Sequence, residues 1–377
     1  MAGLVPAIHV FLLPPPYPPP HAGEGREGAA VDARDKHGHD GTYRWPIMEP
    51  DLSNIIETRL LRTRAPGVPS IEIGILEKRS PALDLRLPPM LLLHGATFGA
   101  RLFDLPRAGY SLMTALASKR RAVYALDIRG FGTSLGGAAM EEPPSRNPPF
   151  AGLDEAIEDI AAAVDVIVRD QSAPGLDLVG FSWGAIAAAR YAGDNPDKIV
   201  RLALYAPLYA EINATWLARM AGSQDSAHRP ETPGAYRLVT LDGVIRRWDA
   251  DLPTADASIY REDGIAALVF ETLAALDPRS SSRLPPAFRC PNGPLADIAR
   301  ICQGQPLYDP AKLTMPTLLV RGDDDTTSTH SAAVRLLGEI ASPQKRYCVV
   351  APGSHFLCIE RNRAKLYEHL NDFFAPI

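Results

Sequence analysis

The side chain best suited to nucleophilic chemistry is Ser182, the centre of a Gly-Phe-Ser-Trp-Gly motif at residues 180–184. The motif lies between an apolar run that predicts a strand, Leu176 to Val179, and an alanine-rich run that predicts a helix, Ala185 to Ala192. A nucleophile in so tight a turn has strained backbone angles, and small residues on either side of it prevent a clash between strand and helix. Such motifs also occur by chance in structural turns. Here the position between strand and helix predicts a serine hydroxyl that points out of a sheet.

A serine hydroxyl is a weak nucleophile at neutral pH and needs an adjacent base, usually an imidazole that a carboxylate orients. Three consecutive aspartates, at 323–325, follow the predicted strand Thr317 to Val320, and His355 follows the predicted strand Tyr347 to Val350. Both groups therefore lie at C-terminal strand ends, the edge at which open α/β sheets place their sites. The residues predict a serine, histidine and aspartate constellation and leave the choice among the three aspartates open.

Two of the nine histidines, His94 and His355, lie at predicted strand ends. We interpret His355 as the base and His94 as a structural loop histidine. His94 begins a segment of small residues whose backbone can face the nucleophile, so the N–H of Ala96 is predicted as one donor to a developing oxyanion. The other predicted donor is the N–H of Trp183, at the N-terminus of the helix that follows Ser182.

A glycine-containing segment after another predicted strand, residues 127–134, superficially resembles a nucleotide-binding loop. The residues after Gly136 and Gly137 are rich in proline, and we predict no helix there whose N-terminus would bind a phosphate. We therefore interpret the segment as a turn that packs beside the nucleophile motif.

The elements that must hold these residues alternate between short β-rich runs and helix-like segments. This alternation is typical of an α/β fold with a mostly parallel sheet and helices on both faces, and the continuous apolar runs fit strands that are buried on both sides. The predicted strands are residues 71–77, 90–93, 122–126, 176–179, 200–205, 317–320 and 347–350, and the main predicted helices are 153–169, 183–192, 331–340 and 361–374.

The sequence predicts four parts along the chain. Residues 1–50, rich in proline, glycine and charge, are interpreted as a disordered N-terminal extension, with a polyproline recognition segment as the alternative. Residues 51–207 and 312–377 are the two parts of the α/β core, and residues 208–311 are an inserted lid. Seven aromatic residues of the lid either line an apolar pocket or form the lid's own core: Tyr209, Trp216, Tyr236, Trp248, Tyr260, Phe270 and Phe288.

The composition limits the partners. A chain of 377 residues, 46% of them hydrophobic, can bury a large core, and its net charge of -5 with mixed signs offers no basic face for nucleic acid. No apolar run is long enough to span a membrane, so a small molecule is the expected partner, while the oligomeric state stays open. The scattered cysteines predict reduced thiols in a cytoplasmic protein without a zinc site, and a disulfide between Cys290 and Cys302 is the alternative after export.

Five motifs together resemble the α/β-hydrolase superfamily in type, order and spacing. They are His94-Gly95, the segment 127–134, the motif 180–184, Gly322-x-x-Asp325 and Gly353-Ser354-His355. The resemblance covers the chain from about residue 60 to its end, and it implies an α/β-hydrolase fold with a mainly helical lid. It also implies a catalytic triad of Ser182, His355 and Asp325. Asp325 is selected because the family's acid stands three residues after the glycine, and Asp324 is the fallback.

The resemblance further implies a hydrolase that needs no metal or organic cofactor, and a carboxylic ester of a small, partly apolar molecule is the expected substrate. The serine argues against epoxide hydrolases and haloalkane dehalogenases, which use an aspartate nucleophile. Ser182-Trp183-Gly184 is similar to proline iminopeptidase-type peptidases, which need lid carboxylates to bind a substrate amine. The lid offers Glu211, Glu231, Glu262 and Glu271. Amide hydrolysis, carbon–carbon bond hydrolysis, acyl transfer and a non-catalytic ligand receptor are the alternatives.

Overall fold

The structure is a computed structural model that describes residues 59–376 except 66, 135 and 222–233. The predicted extension at 1–50 and Glu231 of the predicted lid lie outside the described residues. The strands are β1 (Arg59–Ala65), β2 (Val68–Arg79), β3 (Met90–Leu93), β4 (Ala122–Leu126), β5 (Leu176–Phe181), β6 (Ile199–Tyr205), β7 (Tyr236–Thr240), β8 (Ala287–Pro291), β9 (Thr317–Gly322) and β10 (Lys345–Val350). The helices are α1 (Leu112–Ala117), α2 (Gly137–Glu141), α3 (Leu153–Gln171), α4 (Trp183–Asp194), α5 (Ala214–Ala221), α6 (Leu241–Asp249), α7 (Ile265–Ala274), α8 (Gly293–Cys302), α9 (His330–Glu339) and α10 (Arg363–Phe373).

Eight strands form one sheet in the order β1-β2-β4-β3-β5-β6-β9-β10. The pairs β1 with β2 and β2 with β4 are antiparallel, and every other pair in this sheet is parallel. Helices cover the sheet, with α3 packed against α4 and α1 against α10. The parallel strands β5, β9 and β10 therefore end at the same edge, and this is the edge that carries the predicted nucleophile, acid and base. The predicted α/β-hydrolase fold with a mostly parallel sheet is confirmed.

The predicted strands of this sheet are all present, and the central ones are buried apolar runs, whereas the edge strand β10 is mostly half-buried or exposed. All residues of β3, β4 and β5 are buried, and β3 and β4 have the predicted bounds. The edge strand β1 was not predicted. It contains three arginines and alternates between exposed and half-buried positions, and its one neighbour is the antiparallel β2. Its sequence therefore lacks the apolar run that marks a central strand.

The interval 208–311, predicted as a lid, contains helices α5 to α8 and a separate antiparallel pair formed by β7 and β8. These two strands were not predicted because each has five residues and its partner lies about 50 positions away in the chain. All four cysteines are free thiols, so the alternative of a disulfide between Cys290 and Cys302 is not realised. Over the described residues, no helix combines the length and the apolar character needed to cross a membrane.

Candidate active site

Ser182 lies in the turn between β5 and α4 with φ 56° and ψ -117°, a conformation that L-residues other than glycine rarely adopt. The flanking glycines make this turn possible. A Cβ on Gly180 would lie 2.3 Å from the carbonyl oxygen of Gly184, and one on Gly184 would lie 2.4 Å from the carbonyl oxygen of Leu93. Larger residues two positions before or after the serine would therefore clash with the backbone, which is the reason that the sequence motif predicts small residues there.

The turn brings the Ser182 hydroxyl to the predicted base. Ser182 Oγ lies 2.8 Å from His355 Nε2, and His355 Nδ1 lies 2.8 Å from Asp325 Oδ2. A carboxylate only accepts hydrogen bonds, so Nδ1 carries the ring proton and Nε2 accepts the serine hydroxyl. All three residues are buried, Ser182 with 4% of its surface exposed. The three predicted residues thus form one continuous hydrogen-bonded chain.

The three aspartates after β9 have different partners. Asp325 is buried, and its Oδ1 accepts hydrogen bonds from the backbone N–H groups of Thr327 at 2.9 Å and Ser328 at 2.7 Å, which leaves Oδ2 for His355. Asp324 instead accepts a hydrogen bond of 2.6 Å from the Tyr260 hydroxyl. Asp323 accepts one of 2.9 Å from the backbone N–H of Gly353. Of the three, Asp325 alone contacts the imidazole, as the family pattern implies, and the other two connect the loop to its neighbours.

The predicted oxyanion donors lie on two sides of Ser182. Ala96 follows β3, and its carbonyl oxygen accepts hydrogen bonds from Arg237 Nη2 at 2.9 Å and from Cys290 Sγ at 3.3 Å. Trp183 is the first residue of α4, and its indole Nε1 donates to Asp297 Oδ2 at 3.0 Å. Both residues are therefore held by side chains from the interval 208–311. Burial raises the pKa of Asp297 to about 6, so this contact is sensitive to pH.

His94 has the structural role that the sequence predicted. Its ring is fully buried, Nε2 accepts the backbone N–H of Ile128 at 3.2 Å, and Nδ1 donates to the carbonyl oxygen of Gly95 at 2.8 Å. Burial lowers the pKa of His94, which keeps the ring neutral in this bonding pattern. The histidine thereby fastens the loop of Ala96 to the segment 127–134.

The segment 127–134 is a turn, as predicted, and the Asp127 carboxylate closes it. That carboxylate accepts the backbone N–H of Ala100 at 2.7 Å and that of Thr133 at 2.8 Å. The expectation that no helix follows was wrong, because α2 begins at Gly137. The helix has five residues, a single turn that fits between Gly136 and the prolines from Pro143 onward.

A cavity beside the Ser182 hydroxyl is mostly apolar. Its described lining comes from the loop after β3, the turn at residues 180–184 (the elbow), helices α5, α6 and α8, and the loops after β9 and β10: Gly95, Ala96, Thr97, Phe98, Phe181, Ser182, Trp216, Arg247, Leu295, Ile298, Thr327, His355 and Phe356. Of the seven aromatic residues noted in the interval 208–311, Trp216 lines this cavity. Others pack elsewhere, and Phe270 and Phe288, for example, contact each other. Both interpretations of the lid aromatics therefore apply, to different residues.

Two polar clusters around the site were not predicted. Glu360 is buried and accepts hydrogen bonds from the Ser354 backbone N–H at 2.9 Å, from the Ser354 hydroxyl and from Trp248 Nε1 at 2.8 Å. It thus fixes the loop before His355, and burial raises its pKa. The second cluster joins Arg219 and Arg247 to the buried Asp251. In the sequence, the charge of these residues is the one sign of a role at the site. Charged residues in helices and loops are equally typical of a solvated face, so the sign is not specific.

The lid carboxylates expected of an aminopeptidase have other contacts. Glu211 accepts hydrogen bonds from the hydroxyls of Thr329 and Ser331, and Glu262 pairs with Arg107 at 2.7 Å. Glu271 is exposed. None of these three lines the described wall of the cavity at Ser182.

Comparison with known proteins assigns the family. Residues 90–368 match the alpha/beta hydrolase family. This match covers more than half of the chain, and the chain therefore belongs to that family. No curated protein matches the sequence.

Solved structures share the fold at low sequence identity. A thermophilic esterase from Thermogutta terrifontis is 16% identical with a TM-score of 0.55, over 84% of this chain and 97% of that one. The 2-hydroxy-6-oxo-6-phenylhexa-2,4-dienoate hydrolase from Rhodococcus sp. strain RHA1 is 18% identical with a TM-score of 0.55, over 85% of this chain and 100% of that one. An enol-lactonase from Burkholderia xenovorans LB400 is 16% identical with a TM-score of 0.56, over 84% of this chain and 100% of that one.

Proposed function

We propose that the protein is a serine hydrolase that works through Ser182, His355 and Asp325 and forms an acyl-enzyme intermediate. The observation that carries this proposal is the pair of 2.8 Å contacts from Ser182 Oγ to His355 Nε2 and from His355 Nδ1 to Asp325 Oδ2. A nucleophile, its base and the group that orients the base are thus within hydrogen-bond reach of one another. Membership of a hydrolase family supports the same conclusion.

In the proposed reaction, Ser182 Oγ attacks the carbonyl carbon of the substrate while His355 Nε2 takes the hydroxyl proton. The imidazolium gives this proton to the leaving alcohol, and the acyl group stays on the serine. A water molecule then attacks the acyl carbon, with His355 again as the base, and the acid is released as the proton returns to Ser182. Asp325 keeps the proton on Nδ1 and stabilises the imidazolium.

The N–H groups of Ala96 and Trp183 are the proposed donors to the tetrahedral oxyanion. Two facts support this assignment. Trp183 begins helix α4, where backbone N–H groups have no partner within the helix, and Ala96 is held in place by the hydrogen bonds of Arg237 and Cys290 to its carbonyl oxygen. Loss of one such donor typically raises the barrier by about 3 kcal/mol.

The proposed substrate is a carboxylic ester of a small, partly apolar molecule. Aromatic and aliphatic side chains form much of the described cavity wall, and two of the structural neighbours are named as an esterase and an enol-lactonase. Trp216, Leu295 and Ile298 contribute to that wall, which supports the proposal that residues 208–311 act as a lid. The four free thiols fit a reducing compartment, and we propose the cytoplasm as the location.

The described residues offer the peptidase alternative no carboxylate in the cavity to bind the substrate amine. No carboxylate lines the cavity in the part of the chain that the structure describes, and Glu211 and Glu262 are engaged elsewhere. Ester hydrolysis needs no such group. Carbon–carbon hydrolysis and acyl transfer would use the same three residues, and a receptor would bind a ligand without turning it over, so substrate tests must separate these alternatives.

A substrate panel tests the proposed function. We expect 4-nitrophenyl esters of short acyl chains to be hydrolysed with a kcat/KM at least about tenfold above that of the matching aminoacyl 4-nitroanilides, since the described wall of the cavity has no carboxylate for an amine. Release of 4-nitrophenol from the esters and of 4-nitroaniline from the anilides reports the two rates, and the Ser182→Ala variant is the control for background hydrolysis. Turnover of aminoacyl anilides alone would support the peptidase alternative, and ligand binding without turnover would support a receptor.

A further inference from the structure

A cationic side chain lines the wall of the Ser182 cavity. Helix α6 places Arg247 there, next to Thr327 and His355, and Arg247 is the one lysine or arginine in the described lining. A full charge in an otherwise mostly apolar wall costs desolvation energy unless it is paired and hydrogen-bonded. About a third of the side chain, 33%, is exposed, so the guanidinium is not sealed away from a bound molecule.

The guanidinium is held in one orientation. Nη1 donates to Asp251 Oδ2 at 2.6 Å, Nη2 donates to the Thr327 hydroxyl at 2.9 Å, and the group lies 5.2 Å above the ring of Phe356. These contacts use two of the five N–H donors that an arginine carries. A rigid guanidinium with donors to spare is suited to a planar anion, because less side-chain freedom is lost when the anion binds.

Among the residues that the structure describes, the charge of Arg247 is not cancelled within its own cluster. The Asp251 carboxylate that it contacts also pairs with Arg219 at 3.0 Å, so these two guanidiniums share one carboxylate and one positive charge of the three groups is in excess. Burial opposes ionisation of Asp251, but Arg247, His355 and the Thr326 hydroxyl together outweigh burial and hold the pKa of Asp251 below its usual range. Arg219 is outside the described cavity wall, which leaves Arg247 as the member of the cluster that a substrate meets.

We propose that Arg247 binds a carboxylate of the substrate, so that the preferred esters carry an acid group in addition to the scissile carbonyl. This inference rests on the proposed hydrolase function of Ser182. A planar guanidinium forms two parallel hydrogen bonds to a carboxylate, and the apolar surroundings strengthen them. The apolar wall then accommodates the carbon chain between the acid group and the ester.

Paired substrates test this inference. We expect the wild-type protein to hydrolyse the monobutyl ester of glutaric acid with a kcat/KM about tenfold or more above that of the same ester with a carboxamide in place of the acid. In Arg247→Gln this ratio should fall to about one. Arg219→Gln is the matched control, since it removes the other guanidinium from Asp251 and should keep most of the preference. The released butanol is measured by gas chromatography. An equal ratio in the wild type and Arg247→Gln would overturn the inference.

A binding measurement separates this inference from the proposed function. Glutarate, titrated calorimetrically into the wild-type protein, should bind about tenfold or more tightly than glutaramide, whether or not any ester is hydrolysed. A protein that hydrolyses neutral esters without this preference would keep the hydrolase function and refute the role of Arg247. Absence of all ester turnover, together with glutarate binding that Arg247→Gln weakens, would refute the hydrolase function and keep the anion site. If Arg247→Gln does not fold, the comparison of glutarate with glutaramide in the wild-type protein still tests the anion site.

Discussion

The two sides of the candidate site are built in different ways. On one side, the turn around Ser182 is formed by five consecutive residues, and its geometry follows from the strand before it, the helix after it and the close backbone contacts of Gly180 and Gly184. On the other side, Trp216 and Arg247 come from separate helices and are placed by contacts far along the chain, such as the pairing of Arg247 with Thr327. In the proposed function, the first side determines the reaction and the second selects the substrate.

The largest expected effect concerns the acid that orients His355. Asp325→Asn should lower kcat by about 10³- to 10⁴-fold, because an amide at this position favours the wrong tautomer of the imidazole. Asp324→Asn is the matched control, since its carboxylate contacts Tyr260 instead, and its kcat should stay within about threefold of wild type. Hydrolysis of a 4-nitrophenyl ester provides the measurement. Full activity in Asp325→Asn with loss in Asp324→Asn would show that the acid has been misassigned.

The next effect tests whether the elbow depends on close backbone contacts. Gly184→Ala should destabilise the protein by about 3 kcal/mol or more, because the new Cβ would lie 2.4 Å from the carbonyl oxygens of Leu93 and His94. Gly338→Ala in α9 is the control. Its Cβ would meet no atom within 4 Å, and the change should stabilise the helix by up to about 1 kcal/mol. Urea unfolding gives both values, and equal stabilities for the two variants would refute the steric account of the elbow.

A smaller effect concerns Asp297, which connects the two sides by binding the indole of Trp183. Burial raises the pKa of Asp297 to about 6, so between about pH 4 and pH 6 the folded protein holds a proton that the unfolded chain has lost. The contribution of this group to the free energy of unfolding therefore decreases as the pH rises through that window. Asp297→Asn removes this titration. Its free energy of unfolding should therefore rise relative to that of the wild type by on the order of 2 kcal/mol between pH 4 and pH 7.5.

Urea unfolding of wild type and Asp297→Asn at several pH values measures this difference. A difference that stays constant over the range would mean that the carboxyl group is not shifted by burial. It would also remove the pH-sensitive connection between Trp183 and helix α8.

The sequence predicted the central strands and the proposed triad because both depend on local signals. The runs at 90–93 and 122–126 are apolar throughout and became strands with the same bounds. The turn at Ser182 needs small residues at fixed offsets, and the Asp325 and His355 loops follow neighbouring strands of the same sheet, β9 and β10. Where the residues alone left three aspartates open, the family pattern selected Asp325, the one that contacts His355.

The features that were missed depend on contacts between distant segments. Strand β1 is polar and lies at the sheet edge, and β7 and β8 pair across about 50 residues. Arg247 and Glu360 look like ordinary charged residues in the sequence, and their roles arise from the burial of partners more than 70 positions away, Thr327 and Trp248 respectively. Neither periodicity nor motif spacing reports such pairings, and for this reason the side of the site that contains Arg247 was not predicted.

The most direct test of the central claim is covalent labelling of Ser182 by a fluorophosphonate probe. Folded wild-type protein should be labelled on this residue, as judged by mass spectrometry of the modified peptide, because His355 and the elbow activate its hydroxyl. Ser182→Ala should lose the label while keeping the circular dichroism spectrum of the wild type. Folded wild-type protein that remains unlabelled, or a Ser182→Ala variant labelled to the same extent, would contradict the proposed serine hydrolase mechanism.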